Sequence, residues 1–497
     1  MLHLASTVKT CKINGPLINI DILHNVVTYT DFLTISQLTK TCHEFNVECA
    51  QYLLKRWVCL EEEHLIESFI SFLTASGRPA YAHRRLPFFT NLDLNLGPSP
   101  SEGIKFALAE LFVRVLPLAT RFTHLALHYS DALLAPDSPL PNAMADFTTL
   151  KHLVLYKHGA HCAGMLYALQ SQLVTIKLIR GQAAERRMIA YPLNDPLQCP
   201  IHDPLHLLHR SQGTLQGMAV DLPITLRQGF YYPNVIELNI ACADYLPTTH
   251  TYIRAFPNLV KLAINFGGNI QARAPTSLAS RQGNIAEQHD LGTWTSLRHV
   301  EGSIQDIFLL GLTGAIPELN ITLAELVNVE EDLELNVREA DAFRQVLAYA
   351  RPTELTLRIL DSYWIESEHG FDLLSQTPQL VSLSSLHVHV QVSRPTGVYP
   401  ELGDCDALDY LQDIVPQIKP VHLSVTLDWT EWVLAALEEE ARSEEAGPDG
   451  ERESGLLKGA LETVDIEHHT SQFLHADSQS VRLSFVGPYG WRREMTC

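Results

Sequence analysis

The sequence predicts an α/β solenoid, with parallel strands on a concave face and helices or irregular returns on the outer side. Three observations predict this fold. A phrase of fixed pattern occurs twice at a short interval, shorter strand-like segments recur along most of the chain, and amphipathic segments lie between them. Such a pattern is typical of stacked units that bury a continuous core against their neighbours.

The recurring phrase is clearest at residues 232–240 and 256–264, which begin 24 residues apart. Each copy reads aromatic, Pro, Asn, apolar, two variable positions, Leu, one variable position and Ile. Weaker copies begin at Phe147 and Trp294. The strand core alone recurs at 92–94, 125–127, 176–178, 355–357, 386–388, 423–425 and 483–485.

Alternation of side chains along a strand predicts which residues of each phrase point into the array. The apolar positions of the strand core are expected to be buried, and their neighbours are expected to line the concave face. The residues predicted to be buried in parallel strands are Leu125, Leu153, Ile176, Leu238, Leu262, Leu355 and Leu423.

The chain divides into stretches of different pattern. These are a tail at 1–15, a helical domain at 16–60, a helical linker at 61–85 and the solenoid at 86–497. Within the solenoid, amphipathic segments at 104–118 and 340–349 predict helices between strands. Residues 438–455 are acidic and contain Gly and Pro, which predicts a solvated flexible loop, with a docking site for a basic partner as the alternative.

Composition and charge exclude several classes of function. The formal net charge is -21, which opposes general attraction to nucleic acid or to anionic lipid. No run is apolar enough to span a bilayer, and the first residues lack the pattern of a secretory leader. The nine cysteines are scattered without a Cys-x-x-Cys pair, which favours reduced thiols. We therefore expect a protein of the cytoplasm or nucleus.

The helical stretch near the N-terminus has a pattern of its own. Residues 18–26 read Ile-Asn-Ile-Asp-Ile-Leu-His-Asn-Val, and Asp31 is placed to cap a second helix. This pattern resembles the F-box, whose first helix typically begins Leu-Pro-x-Asp/Glu-Ile/Leu-Leu-x-x-Ile, with Asn19 here at the proline position. The resemblance implies that a Skp-family adaptor is bound by Ile18, Asp21, Ile22, Leu23, Val26, Phe32, Leu38, Cys42 and Phe45.

The later phrases resemble leucine-rich repeats, especially the irregular kind that follows F-boxes in fungal proteins. Together the two resemblances imply the substrate-recognition subunit of a cullin-type ubiquitin ligase, in which the solenoid binds a target protein. One alternative is a repeat-based interaction scaffold with no ligase role, whose N-terminal helices only cap the open end of the solenoid.

Mixed polar, histidine and tyrosine side chains are expected on the concave face, where they suit recognition of a protein. The residues predicted to bind the target are His128, His152, Tyr156, Lys177, Glu237, Asn239, Lys261, Asn265 and Arg358. Alternation also predicts exposure of His124, Ala126, Val154, Glu354, Thr356, His387 and His389.

The sequence contains no motif that indicates catalysis or the binding of a cofactor. It contains no nucleophile elbow, phosphate-binding loop or His-Glu-x-x-His motif. Two histidine groups, one at residues 202–209 and one at residues 158–162, lack a complete set of metal ligands. The sequence therefore predicts a protein that is not an enzyme and binds no metal, with an enzyme built on a repeat fold as the second alternative.

Overall fold

The fold is described from a computed structural model, in which the chain forms two compact units, Met1–Gln172 and Leu173–Cys497. The structure describes residues 50–74, 85–180, 203–221, 230–241, 248–265, 274–323, 333–360, 383–391, 420–428, 480–486 and 492–496, with the isolated positions 29, 34–35, 37, 374, 377, 380 and 430. Each unit is an array of strands joined by helices or turns, and each is considered by itself.

The first unit has parallel strands whose order in the sheet follows the chain. Its strands are β1 (Val58–Leu60), β2 (Asn91–Leu94), β3 (His124–Leu127) and β4 (His152–His158). Its helices are α1 (Ala50–Lys55), α2 (Glu63–Thr74), α3 (Glu102–Glu110), α4 (Ser130–Leu133), α5 (Leu140–Ala145) and α6 (Ala160–Ala168). A π turn at Leu111–Val115 and a 3-10 turn at Leu116–Leu118 extend α3, and a further 3-10 turn lies at Leu86–Phe88.

The second unit continues the same strand-by-strand order and ends with a reversal. Its strands are β5 (Thr175–Arg180), β6 (Gly217–Val220), β7 (Glu237–Ala241), β8 (Lys261–Asn265), β9 (His299–Ser303), β10 (Glu318–Leu323), β11 (Glu354–Ile359), β12 (Ser385–Gln391), β13 (His422–Asp428), β14 (Ser480–Val486) and β15 (Arg492–Thr496). Strands β5 to β14 pair in parallel, whereas β15 is antiparallel to β14.

The helices of the second unit precede or connect its strands. They are α7 (Pro204–Leu207), α8 (Thr249–Ala255), α9 (Ala274–Leu291), α10 (Ile304–Leu310) and α11 (Leu333–Ala350), with a 3-10 turn at His209–Ser211. Helix α11 contains the amphipathic segment predicted at 340–349, and α3 with its extensions contains the one predicted at 104–118. Both predicted helices are therefore confirmed.

The buried row of each sheet consists of the apolar strand positions predicted from the repeat. All of the predicted residues, from Leu125 to Leu423, are at most 2% exposed. They lie in parallel strands at matching registers, as where Leu238 pairs with Leu262. Each such side chain contributes roughly 1.5–3 kcal/mol by leaving water. The predicted α/β architecture with parallel strands is confirmed by this arrangement.

The aromatic residue that opens each phrase forms a buried stack between repeats. The rings of Tyr232 and Phe256 are fully buried, with centroids 5.9 Å apart. Tyr232 donates a hydrogen bond from Oη to the carbonyl of Leu205 at 2.6 Å, and burial raises the pKa of its hydroxyl. The indole Nε1 of Trp294 donates to the carbonyl of Phe256 at 2.8 Å. The aromatic position therefore joins each repeat to the one before it.

The asparagine of the phrase has a related role. Asn258 donates from Nδ2 to the carbonyl of Pro233 at 2.9 Å, and Asn234 donates in the same way to Gly213 at 2.7 Å. A turn carbonyl of one repeat thus accepts from the side chain of the next. A side-chain amide at this position thus links neighbouring repeats through a hydrogen bond at the surface.

The first unit uses the same device with simpler side chains. Phe89, Phe122 and Phe147 form a buried stack with centroid distances of 5.1 and 5.7 Å. Thr149 donates from Oγ1 to the carbonyl of Phe122 at 3.0 Å, in the place of an asparagine. The weak phrase that begins at Phe147 is therefore a structural repeat, although its polar residue differs.

Helix α9 is mostly polar because it closes the end of α10. The amide of Asn284 donates to the carbonyl of Leu309 at 2.8 Å, and that of Gln288 donates to Gly311 at 2.9 Å. The last carbonyls of a helix have no partner within it. Gly311 itself has a φ of 59°, a left-handed conformation that favours glycine at a helix end.

The sequence expectations and the structure differ at two places in the first unit. Strand β1, at Val58–Leu60, lies upstream of residue 86, where the sequence pattern predicts the start of the solenoid. This strand nevertheless pairs with β2 of the same sheet. The expectation that Ala126 is exposed is wrong. Its small side chain is 4% exposed because it lies in register between Asp93 and Val154 on the neighbouring strands.

The predicted adaptor-binding residues, from Ile18 to Phe45, lie outside the described residues, as do the tail at 1–15 and the acidic segment at 438–455. Helix α2 confirms the helical stretch expected after residue 61.

Candidate functional site

The candidate site is the open face of each sheet, a name used here for the side chains that alternate with the buried row along the strands. In the second unit it comprises the positions in register with Glu237, Asn239 and Ala241 of β7. In the first unit it comprises Trp57, Cys59, Asn91, Asp93, His124, Ala126, His128, His152, Val154 and Tyr156.

Every residue predicted to bind the target lies on the open face. His128, His152 and Tyr156 are in the first unit, and Lys177, Glu237, Asn239, Lys261, Asn265 and Arg358 are in the second. The prediction of position follows from alternation alone. What these residues bind is a separate question that depends on their chemistry.

The first unit presents a column of rings. His124 and His152 are in register on β3 and β4, and their rings stack with centroids 3.9 Å apart. The indole of Trp57 meets His124 edge-on at 5.9 Å and is 54% exposed. Partial burial lowers the pKa of both histidines, and for His124 the neighbouring His152 adds to the effect. These rings therefore favour the neutral form.

A second group in the first unit joins a carboxylate to a histidine and a tyrosine. Asp93 Oδ1 lies 3.3 Å from His128 Nε2, and the His128 ring stacks on Tyr156 at a centroid distance of 4.3 Å. Burial raises the pKa of the Asp93 carboxyl, while the nearby His128 opposes that rise. The face thus holds one half-buried acid within a mostly aromatic surface.

The two cysteines that the structure describes are unsuited to nucleophilic chemistry. Partial burial and the carboxylates of Asp93 and Glu61 raise the pKa of the Cys59 thiol. Cys162 is buried, its pKa is raised to about 11 by burial, and its Sγ lies 3.4 Å from Ser130 Oγ. The thiolate is the nucleophilic form of cysteine, and the raised pKa values favour the protonated thiol at both positions.

The second unit presents charged side chains that pair between strands. Glu301 Oε1 of β9 lies 3.1 Å from Arg358 Nη1 of β11, across the intervening strand β10. His299 Nδ1 of β9 lies 3.3 Å from Glu318 Oε2 of β10. Such pairs at a partly exposed surface contribute little to stability, typically below about 1 kcal/mol. Their main effect is on the charge that the face presents.

Asn320 occupies the centre of this charged region. It is in register with Glu301 of β9 and Thr356 of β11 on the open face, yet only 6% of it is exposed. Its Oδ1 atom accepts no hydrogen bond from any residue that the structure describes. An unsatisfied buried acceptor costs about 1–3 kcal/mol, so stability alone does not explain it.

The last parallel strands carry a further histidine group. His389 Nε2 lies 3.5 Å from Asp428 Oδ2, and His422 Nδ1 lies 2.7 Å from Ser480 Oγ. Partial burial is the main cause that lowers the pKa of His387 and of His389, although Glu354 and Asp428 respectively oppose it. This part of the open face therefore combines two rings that favour the neutral form with the nearby carboxylate of Asp428.

Within the histidine group at 202–209, residues 203–209 are described, and their contacts are local. Asp203 caps α7 by accepting from the backbone N–H of Leu205 at 3.0 Å, so its carboxylate is already engaged. His209 Nδ1 lies 3.1 Å from the carbonyl of His206, and the two ring centroids are 6.3 Å apart. Neither ring is directed at a shared metal position with a third ligand, since the described residues hold no group of three that could bind a metal ion.

The group at 158–162 is also explained by local structure. The carboxylate of Asp131 accepts from the backbone N–H of His161 at 2.9 Å, in the first turn of α6. A Cβ at Gly159 would approach the carboxylate carbon and oxygens of Asp131 to about 2.5 Å, so a larger residue there would displace this carboxylate. The arrangement caps α6 rather than building a catalytic site.

A cavity of 260 Å³ in the second unit is lined by Thr313, Ala315, Ala348, Tyr349 and Arg351. It lies at the C-terminal end of α11, and these lining residues include no carboxylate or histidine that could act as a general acid or base. Within the part of the chain that the structure describes, no helix is long and apolar enough to cross a membrane.

Comparisons with known proteins provide no family assignment: the sequence matches no family model, and no curated protein matches it significantly. The function is therefore inferred from the side chains themselves.

Sequence reasoning missed Trp57, Asp93 and Asn320 as members of the open face. Asp93 lies within a recognised strand core, so alternation would have identified it. Asn320 carries no recognisable signal, because β10 lacks the aromatic-Pro-Asn phrase. Trp57 precedes a strand that the helical pattern around it concealed.

Proposed function

We propose that the protein is the substrate-recognition subunit of a cullin-type ubiquitin ligase and that its open face binds the target protein. The observation that carries the recognition role is the alignment of polar and aromatic side chains in columns on strands whose alternate positions are buried. A rigid sheet holds such side chains in fixed positions, which lowers the entropy lost on binding. The ligase role depends on the F-box-like pattern at 18–45.

The chemistry of the open face suits recognition of a protein. Trp57, Tyr156 and Arg358 belong to the residue types that most often dominate protein interfaces. The described cysteines have raised thiol pKa values, so they offer no nucleophile. In this proposal the chain positions a target, other subunits carry out the chemistry, and the protein acts in the cytoplasm or nucleus.

The adaptor test is copurification of the full chain with a Skp-family adaptor. The wild-type chain is expected to retain the adaptor, whereas Leu23→Asp and Phe32→Asp are expected to lose it because they place a charge in an apolar contact. Glu237→Gln, on the open face of β7, serves as the matched control and should retain it. If both Asp variants bind the adaptor as the wild type does, the ligase role is lost.

The target test uses the same preparations. Tyr156→Ala and Arg358→Ala are expected to reduce the amount of a captured target while leaving adaptor binding unchanged. Tyr167, an exposed tyrosine on α6 rather than on a strand, provides the control variant Tyr167→Ala. Equal loss with all three variants would contradict recognition through the open face.

An interaction scaffold without a ligase role is the second candidate, and one observation favours it. Strand β1 adds to the edge of the sheet directly after α1, in which Ala50, Leu53 and Leu54 are buried. The end of the helical module is thus built into the first unit, as expected for a cap on a repeat array. A chain that captures a target through the open face but retains no adaptor would be such a scaffold.

A further inference from the structure

Asn320 is the most unusual residue of the open face, because its amide oxygen is enclosed without a donor. The side chain is 6% exposed, and no described residue donates to Oδ1. The atom lies on the middle one of three paired strands, with Glu301 and Thr356 at the same register. A ligand that moves the covering side chains aside and brings an N–H group would satisfy this acceptor.

The residues around Asn320 define the charge of that ligand. Glu318 of β10 and Glu354 of β11 are directly in register, and like charges placed opposite each other on paired strands repel. Glu301 is the third carboxylate, and Arg358 is the cation that pairs with it at 3.1 Å. Three carboxylates thus face one guanidinium, with the His299 imidazole 3.3 Å from Glu318, so acidic groups outnumber basic ones in this region.

The two observations are independent and indicate the same kind of ligand. The unpartnered amide oxygen requires a hydrogen-bond donor, and the repelling carboxylates require a positive charge. A metal ion does not fit, because the described residues include no group of three or more His, Cys, Asp or Glu side chains that could hold one. Ammonium and guanidinium groups supply both the donor and the charge.

We propose that the open face of β9–β11 binds a basic segment of the target protein, with a lysine or arginine side chain donating to Asn320 Oδ1 between Glu301, Glu318 and Glu354. This inference depends on the proposed recognition role of the open face and names the chemistry of the partner. An extended segment that crosses the strands would place its basic side chain against Asn320 and its backbone over the neighbouring side chains. The partner of this region is therefore a protein segment rich in lysine or arginine.

The first test measures binding of a fluorescein-labelled peptide of alternating lysine and serine to the full chain by fluorescence anisotropy. The same peptide with acetylated lysines is the matched probe, since it keeps the length and loses the charge. We expect the lysine peptide to bind about tenfold more tightly, because its donors are charged. Equal affinity for the two peptides would overturn the proposal.

Variants of Asn320 separate its role in binding from its role in folding. Asn320→Leu removes the unpartnered acceptor, so it is expected to keep or raise the melting temperature while it weakens lysine-peptide binding about tenfold. Asn320→Asp is of the same size and keeps an acceptor, so it should bind the lysine peptide at least as tightly as the wild type. If the Asn320→Leu chain is folded and binds the lysine peptide as tightly as the wild type does, the proposal is contradicted. If the Asn320→Leu chain is unfolded, weaker binding of the lysine peptide by Asn320→Asp than by the wild type would contradict the proposal.

The carboxylates are tested with a matched control that changes the net charge equally. Glu354→Gln is expected to weaken lysine-peptide binding about threefold, as for loss of a partly exposed charge. Glu67→Gln, at an exposed position on α2 and outside the open face, should leave binding unchanged. If both variants weaken binding equally, the attraction is a general effect of the acidic chain and the specific site is refuted.

The outcomes distinguish this inference from the ligase role. If the adaptor is retained and a target is captured, but the lysine and acetylated peptides bind alike, only the inference fails. If the lysine peptide binds through Asn320 and no adaptor is retained, the ligase role fails and the inference stands.

Discussion

The open face of the first unit carries rings that stack on one another, whereas that of the second unit carries charges that pair between strands. In the first unit His124 stacks on His152 at 3.9 Å. In the second unit Glu301 reaches Arg358 at 3.1 Å across an intervening strand. Both arrangements follow from parallel strands about 4.8 Å apart, a spacing close to that of stacked rings.

The comparison shows how one backbone arrangement yields two kinds of surface. Parallel pairing in register places equivalent residues beside each other, so a residue type that recurs on neighbouring strands forms a column. A column of rings is favourable, but a column of like charges is not. On the first unit the neighbouring rings therefore stabilise one another. On the second unit Glu318 lies beside Glu354, and a positively charged partner would reduce the repulsion between these two carboxylates.

The largest expected effect is on the buried rows, and it tests whether these rows contribute equally to the stability of the two units. Leu153→Ala in the first unit and Leu355→Ala in the second should each lower the free energy of unfolding by about 2–5 kcal/mol, because each leaves a cavity in a packed row. Urea denaturation measures the loss, and hydrogen exchange locates it in one unit. The controls Val154→Ala and Thr356→Ala, on the open face, should cost less than about 1 kcal/mol. Equal costs for both rows would contradict the alternation.

A smaller loss of stability is expected from removing the hydrogen bonds that link neighbouring repeats, which are made by a threonine in the first unit and by an asparagine in the second. Thr149→Val in the first unit and Asn258→Leu in the second each remove a hydrogen bond to a carbonyl of the preceding repeat. Each should lower the free energy of unfolding by about 1 kcal/mol, since the carbonyl is left without that donor. The control is Thr251→Val in α8, whose hydroxyl bonds only within its own helix turn. Chemical denaturation of the four chains provides the comparison, and a loss as large for Thr251→Val would argue against a link between repeats.

The ring column of the first unit predicts a pH dependence. In the folded state the pKa of His124 and of His152 lies below the ordinary value of 6.5, so the unfolded chain binds protons first as the pH falls. The free energy of unfolding should therefore be constant above that pH and decrease below it. His152→Gln should reduce the slope because it removes one titrating ring and the repulsion on His124.

The matched control for this prediction is His64→Gln, at an exposed position on α2. Hydrogen exchange of the amides of β3 and β4, measured as a function of pH, reports the effect locally. A slope that His64→Gln reduces as much as His152→Gln does would show that the ring column is not its source.

The smallest expected effect concerns the charged face. Arg358→Met removes the partner of Glu301 but keeps a long side chain, so the free energy of unfolding should change by less than about 1 kcal/mol. Added salt should reduce even that difference, because it screens exposed charges. Arg114→Met, which removes an exposed pair with Glu110 within one helix, is the control and should behave alike. A loss of several kcal/mol at Arg358 would show that its charge pair is structural.

The sequence was sufficient to predict the buried rows and the position of most open-face residues. Alternation around Leu238 and Leu262 assigned Glu237, Asn239 and Lys261 to the open face, because a strand has a period of two. It did not reveal β10 or the enclosure of Asn320, since that segment carries no aromatic-Pro-Asn phrase. The pairing of Glu301 with Arg358 depends on registers across three strands, which a single sequence does not contain.

Other differences between expectation and structure have equally local causes. Strand β1 is short and lies between two helices, so its apolar alternation was obscured. Strand β15 has the sequence Arg-Arg-Glu-Met-Thr, whose charges give no signal of a strand. The enclosure of Ala126 depends on the size of its neighbours rather than on its own type.

The antiparallel pairing of β15 affects how copies of the chain can associate. An edge that ends in a parallel strand repeats the hydrogen-bond pattern of every strand before it, so a strand of another molecule could extend it without limit. Strand β15 replaces that pattern and presents exposed charged side chains at Arg492 and Glu494, the second of which also pairs with Arg482 at 2.5 Å. Charged side chains at an edge strand, as at Arg492 and Glu494, disfavour its pairing with a strand of a second molecule.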